Sequence, residues 1–120
     1  MKPMKVEFGS KTLDLVLDGS TIINIEKELR SSLLGIMVSG SGGMRMPRLG
    51  EILTILHEAN TIHGIKKADM PGLYDEYIAS GGTQTKLFEI IQNLMEAAGF
   101  FESEDESSEK QDGEKEESLV

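Results

Sequence analysis

Residues 5–17 run Lys-Val-Glu-Phe-Gly-Ser-Lys-Thr-Leu-Asp-Leu-Val-Leu. Val6 and Phe8 alternate with Lys5 and Glu7; Leu13, Leu15 and Leu17 alternate with Asp14 and Val16. A period of two sends successive side chains to opposite faces of an extended chain. Gly9-Ser10 stands between the two runs, and glycine at the first central position suits a type II′ turn. The spacing predicts an antiparallel hairpin over residues 4–18.

Beyond the hairpin the period changes. Asp18-Gly19-Ser20-Thr21 offers turn and N-cap chemistry. Ile22, Ile25, Leu29, Leu33 and Ile36 follow at steps of 3, 4, 4 and 3, the face of one continuous helix. Gly35 weakens its last turn, and Gly40 lies past its end. Residues 39–43, Ser-Gly-Ser-Gly-Gly, have the composition of a flexible linker. Pro47 suits the first turn of a second helix, lined on one side by Leu49, Ile52, Leu53, Leu56 and Ala59. Residues 60–71 read as a loop punctuated by Gly64 and Pro71.

A short third helix is expected over residues 72–80, with Leu73, Tyr74, Tyr77 and Ile78 as its apolar side and Gly81-Gly82 ending it in left-handed backbone. Thr83 or Thr85 caps a fourth, in which Leu87, Ile91, Leu94 and Ala98 repeat at helical steps beside Phe88, Ile90 and Met95. Gly99 is placed just after its C-cap, so that Phe100 can fold back as in a Schellman motif. Leu53, Leu56, Leu87, Ile91 and Leu94 are the expected core between the second and fourth helices. The predicted class is α+β, mostly α: an N-terminal β-hairpin, then a bundle of about four helices, then a tail.

The tail stands apart in composition. Nine of the 21 acidic residues lie in 102–120, against Lys110 and Lys115, a balance of −7; the other 101 residues hold ten basic and twelve acidic groups, a balance of −2. Residues 102–118 contain no aliphatic or aromatic side chain. Such a segment buries too little to offset its ordering entropy, so 1–101 is expected to be the compact domain and 102–120 a disordered acidic tail. The tail admits three readings: a solubility device, a holder of a basic partner, and a mimic of nucleic-acid charge. The nearly neutral body has no basic cluster, which argues against nucleic-acid binding.

The chain has no cysteine, which excludes disulfide scaffolds and thiolate chemistry. No stretch approaches the roughly 18–20 apolar residues of a membrane span, and the N-terminus lacks a signal-peptide run, so a soluble cytosolic protein is expected. His57 and His63 are six residues apart, about 120° around a helix, where a zinc-binding helix needs a spacing of four. The glycine-rich run to Arg45 lacks the Gly-Lys-Ser/Thr ending of a phosphate loop. The body carboxylates fall mostly on polar helix faces. No catalytic residue, metal or cofactor is therefore assigned, and no enzymatic activity is expected.

Methionine is abundant, at seven of 120. Met37, Met44, Met46 and Met70 gather around the glycine run and the connection after it. Soft, flexible side chains suit adaptable contact surfaces, and they fill cores equally well. Met37, Val38, Met44, Met46 and Met70 are the candidate partner-binding residues.

The order of these elements resembles the tail assembly chaperone family of long-tailed phages and prophages, in the form common in Gram-positive hosts. The resemblance runs through Val6–Leu17, through Ile22-Ile23-Asn24-Ile25-Glu26-Lys27-Glu28-Leu29, and through Gly50-Glu51-Ile52-Leu53-Thr54-Ile55-Leu56-His57-Glu58-Ala59-Asn60. It is strongest at the close of the body, Leu73-Tyr74-Asp75-Glu76-Tyr77-Ile78, Gly81-Gly82, then Leu87 to Phe101. Residues 39–43 depart from the family pattern.

The resemblance implies a non-enzymatic role in tail morphogenesis. Such chaperones bind the tape measure protein, assist polymerisation of the tail tube protein around it, work in the host cytoplasm and are absent from the mature virion. It also implies self-association into an oligomer or helical array, and a short form beside a longer frameshifted one, to which this chain would correspond as the short form. The competing expectation is a small acidic adaptor or inhibitor that binds a host protein, its tail imitating nucleic-acid charge.

Overall fold

The structure, a computed structural model, describes residues 2–38 and 43–101. Residues 39–42 of the linker expected at 39–43, and the whole of the disordered tail expected at 102–120, lie outside the described residues. The described architecture is α+β and mostly helical, with the hairpin first and helices after it.

Strands β1 (Met4–Phe8) and β2 (Lys11–Leu15) pair antiparallel, with Phe8 opposite Lys11, Val6 opposite Leu13 and Met4 opposite Leu15. Gly9 and Ser10 thus form a two-residue turn. Gly9 alone of the two has positive φ, +66°, the signature of type II′. Val6, Phe8, Leu13 and Leu15 face the core, while Lys5 and Glu7 face outward.

Helix α1 (Gly19–Leu29) starts at Asp18, whose carboxylate accepts a 2.9 Å hydrogen bond from Thr21 N. The main-chain N–H of Thr21, and then its hydroxyl, hold that carboxyl below its ordinary range. The single helix expected over Ile22–Ile36 is in fact two. Arg30 turns left-handed at φ +55°, Ser31 N reaches back to Glu26 O at 3.3 Å, and α2 (Leu33–Met37) begins afresh. Ser32 caps α2 by accepting from Gly35 N at 2.9 Å, and the Glu26 carboxylate accepts from Leu33 N at 2.9 Å. Serine oxygens offer main-chain donors an alternative to the helical ladder, which is why the break falls at Ser31-Ser32. The apolar stripe survives the break: Ile25, Leu33 and Ile36 are all buried.

Helix α3 (Leu49–Ala59) is the centre of the molecule. Ile52 to Leu56 and Ala59 are buried, because α1, α4, α5 and β2 all pack on it. Pro47 is buried and lies just before the Arg48 N-cap, two residues ahead of the helix whose first turn it was expected to occupy. Pro71 differs in the opposite sense. Rather than closing a loop, it sits in the first turn of α4 (Met70–Ala79), entered from a 3-10 turn at Lys67–Asp69, because proline lacks only the N–H that a first turn leaves unused.

Helix α5 (Gln84–Ala97) is capped by Thr83, whose hydroxyl accepts from Lys86 N at 3.1 Å; Thr85 lies within the helix. It ends in a Schellman motif, with Phe100 N on Met95 O at 2.9 Å, Gly99 N on Glu96 O at 3.1 Å and Gly99 at φ +93°. The end of α4 repeats it through Gly81 and Gly82 on Ile78 O and Tyr77 O. Leu53, Leu56, Leu87, Ile91 and Leu94 are all buried and α3 packs on α5, as the helical periodicity predicts.

The chain leaving α3 closes one edge of the hairpin. Leu15 and Asn60 form an antiparallel bridge, with Val16 N on Ala59 O and Thr61 N on Asp14 O, both at 2.9 Å. The Asn60 side chain completes it: its Oδ1 accepts from Asp14 N at 3.0 Å and Ile62 N at 3.1 Å.

Candidate functional site

The five candidate partner-binding residues divide. Met37 and Met70 are core residues, 0 % and 1 % exposed, and cannot present a docking surface in this conformation; the sequence cue that grouped them, methionine near glycine, does not distinguish core filling from contact. Val38 is half-buried. Met44 and Met46 are 47 % and 45 % exposed.

Arg45 sets the position of Met44 and Met46. Its main-chain N–H donates to Met37 O at 3.0 Å, and its guanidinium donates to Ile36 O and lies 3.5 Å from Glu51 Oε1. Glu51 in turn accepts from Arg48 N at 2.8 Å and so caps the start of α3. One arginine thus joins the last carbonyls of α2, where a helix dipole favours a cation, to the first turn of α3. Val38 and Met44 form an antiparallel bridge beside it. Arg45 is half-buried and Pro47 buried, while Met44 and Met46 on either side of Arg45 keep nearly half of their surface exposed. Leu34, on the α2 segment that Arg45 grips, is also 40 % exposed.

A cleft of about 480 Å³ lies between the hairpin turn and α4, lined by Lys11, Ile65, Asp69, Leu73 and Glu76 among others. Sequence spacing gives no hint of it, since its residues come from three separated segments. Glu76 Oε1 accepts from Ser10 N at 2.7 Å, and bonding from the Ser10 hydroxyl and main chain, with Lys11 nearby, holds its carboxyl below the ordinary range. The carboxylate is therefore occupied in holding the turn. A smaller, mostly apolar pocket of about 160 Å³ between α3 and the start of α4 is lined by Gly50, Leu53, Thr54, Lys67, Met70 and Pro71.

The histidines do not converge. His57 Nε2 is 3.2 Å from Ile65 O, while His63 is exposed in the following loop. Among the described residues no group of three His, Cys, Asp or Glu side chains could hold a metal ion, and no helix is long and apolar enough to cross a membrane.

The fold and this surface define a mostly helical α+β domain with a two-stranded N-terminal hairpin and an apolar, methionine-bearing connection clamped by an arginine. The chain belongs to a family of unknown function, DUF6096, whose model matches residues 2–120. No curated protein and no solved structure matches it.

Proposed function

We propose that the chain is a non-enzymatic tail assembly chaperone, which binds an apolar helical segment of a tape measure protein in the host cytoplasm while tail tube subunits assemble around it. The supporting observation is the exposed pair Met44 and Met46, which flank the Arg45 clamp. The order of hairpin and helices that carries the resemblance supports the same reading. Unbranched thioethers adapt to varied apolar partners, as a chaperone that coats a long helical rod requires. Each contact is small and binds weakly, and many copies along one rod gain avidity together.

The test is co-expression with a tape measure protein of a long-tailed phage. The parent chain should keep that protein soluble, and the Met44→Glu/Met46→Glu double variant should lose the rescue while keeping its thermal midpoint. A folded double variant that rescues as well as the parent overturns the assignment of this surface. Deleting 102–120 should leave rescue intact; loss of all partner binding on that deletion would favour the acidic adaptor instead.

A further inference from the structure

The hairpin has two edges, and the fold treats them differently. In an antiparallel ladder hydrogen-bonded and non-hydrogen-bonded pairs alternate. Phe8 and Lys11 flank a two-residue turn and form a hydrogen-bonded pair, so Val6–Leu13 and Met4–Leu15 do as well. Lys5 and Glu7, opposite Asp14 and Thr12, therefore turn their main-chain N–H and C=O groups away from the partner strand. Asp14 bears out this phase: its N–H donates to Asn60 Oδ1 and its C=O accepts from Thr61 N. The β2 edge is thus closed by the chain leaving α3. On the β1 edge, no element among the described residues gives a main-chain hydrogen bond to Lys5 or Glu7. Both residues are exposed.

We propose that β1 is a dimerisation strand, pairing antiparallel with β1 of a second copy about a two-fold axis through Val6. The register follows from charge. Centred on Val6, Lys5 stands opposite Glu7 of the second copy and Glu7 opposite its Lys5. Both are outward-facing positions, so each can exchange two main-chain bonds, about four in all. Opposite charges directly across a ladder attract, and like charges repel. Centring the axis on Lys5 or on Glu7 instead sets lysine against lysine or glutamate against glutamate. A lone lysine on an edge strand normally deters pairing. Here the glutamate two residues on turns it into a selector of one register. On the inner face Phe8 is already fully covered within its own copy, so the joint rests on the main-chain bonds and the Lys5–Glu7 pairs, with half-buried Met4 at its margin. The interface is isologous and closes, as two-fold pairing requires. It is small, and the dimer is correspondingly weak.

Sedimentation velocity on the full chain, from about 10 μM to about 1 mM, tests this over the range expected of small interfaces. The parent should shift from monomer to dimer with concentration. Lys5→Glu and Glu7→Lys, both at exposed positions and checked for unchanged far-UV circular dichroism, should each weaken the dimer by about tenfold or more, since each sets like charges opposite one another twice. An equimolar mixture of the two single variants should dimerise again, because each supplies what the other lacks. The double variant Lys5→Glu/Glu7→Lys should dimerise like the parent. A parent that is monomeric throughout overturns the proposal. So does a dimer indifferent to both single changes, which would place the joint on another face, and so does a mixture that fails to recover, which would reject the register.

Discussion

Ser10 donates its main-chain N–H to Glu76 Oε1 at 2.7 Å, so a single carboxylate on α4 holds the tip of the hairpin 66 residues earlier in the chain. Phe8 and Tyr77 extend the joint inward, their ring centroids 5.4 Å apart.

That joint leaves no room beside the turn. A Cβ added at Gly9 would lie 2.7 Å from both Glu76 Oε1 and Leu73 O, and the residue already sits at φ +66°. Gly9→Ala should destabilise the fold by roughly 2–4 kcal/mol, combining backbone strain with overpacking against a carbonyl. Thermal unfolding followed by circular dichroism measures it, and an unchanged midpoint would mean that the turn is not pressed against α4.

The same carboxylate makes stability depend on acid. Its folded pKa is lowered from 4.5, so its contribution is present above about that pH and is lost as pH falls through the lower folded value. Asp18, lowered from 3.8, acts in the same direction at lower pH. The thermal midpoint should therefore fall on acidification below about pH 4.5. Glu76→Gln should be less stable than the parent at neutral pH and should lose less between about pH 5 and about pH 3, so that the two curves converge. Parallel curves would sink the linkage.

Arg30 is the only described non-glycine residue with positive φ, +55°, at the position where α4 and α5 use Gly81 and Gly99. Left-handed backbone costs an L-residue about 1–2 kcal/mol, and glycine returns part of that gain as unfolded-state freedom. Arg30→Gly should thus stabilise by about 0.5–1 kcal/mol, whereas Arg30→Val should destabilise. Chemical denaturation at constant slope distinguishes the two.

Burial should sort the apolar positions. Leu56→Ala and Ile91→Ala remove fully buried side chains at the contact of α3 with α5, and each should cost about 2–5 kcal/mol. Ile23 is 55 % exposed on α1, and Ile23→Ala should stay within about 0.5 kcal/mol of the parent. Against the roughly 5–15 kcal/mol that small domains possess, the difference decides whether the chain folds at all.

Local chemistry was legible in the sequence wherever it acts over one or two turns. The Gly9-Ser10 turn, the Asp18 cap and the Gly99-Phe100 closure all rest on neighbours within five residues, and the structure carries each of them. Periodicity identified the faces of α3 and α5, because burial enforces the period. It failed at Ser31-Ser32, where the stripe continues in space although the helix does not: burial preserves the pattern and the serine caps change the direction. It failed again to separate Met37 and Met70 from Met44 and Met46, since composition is blind to which way a side chain points. The Asn60 bridge and the Glu76 joint join distant segments, and no local pattern announces them.

The Leu15–Asn60 bridge and the Ser10–Glu76 hydrogen bond also order events in time. A two-stranded hairpin alone is marginal in water. Strands β1 and β2 gain lasting stability only when α3 and α4 dock on them, after residues 60 and 76 have been made. Contacts of such separation slow folding. The hairpin, synthesised before α3 and α4, is thus secured only after them, and until α4 arrives its apolar face, Val6, Phe8, Leu13 and Leu15, stands open to any other partner.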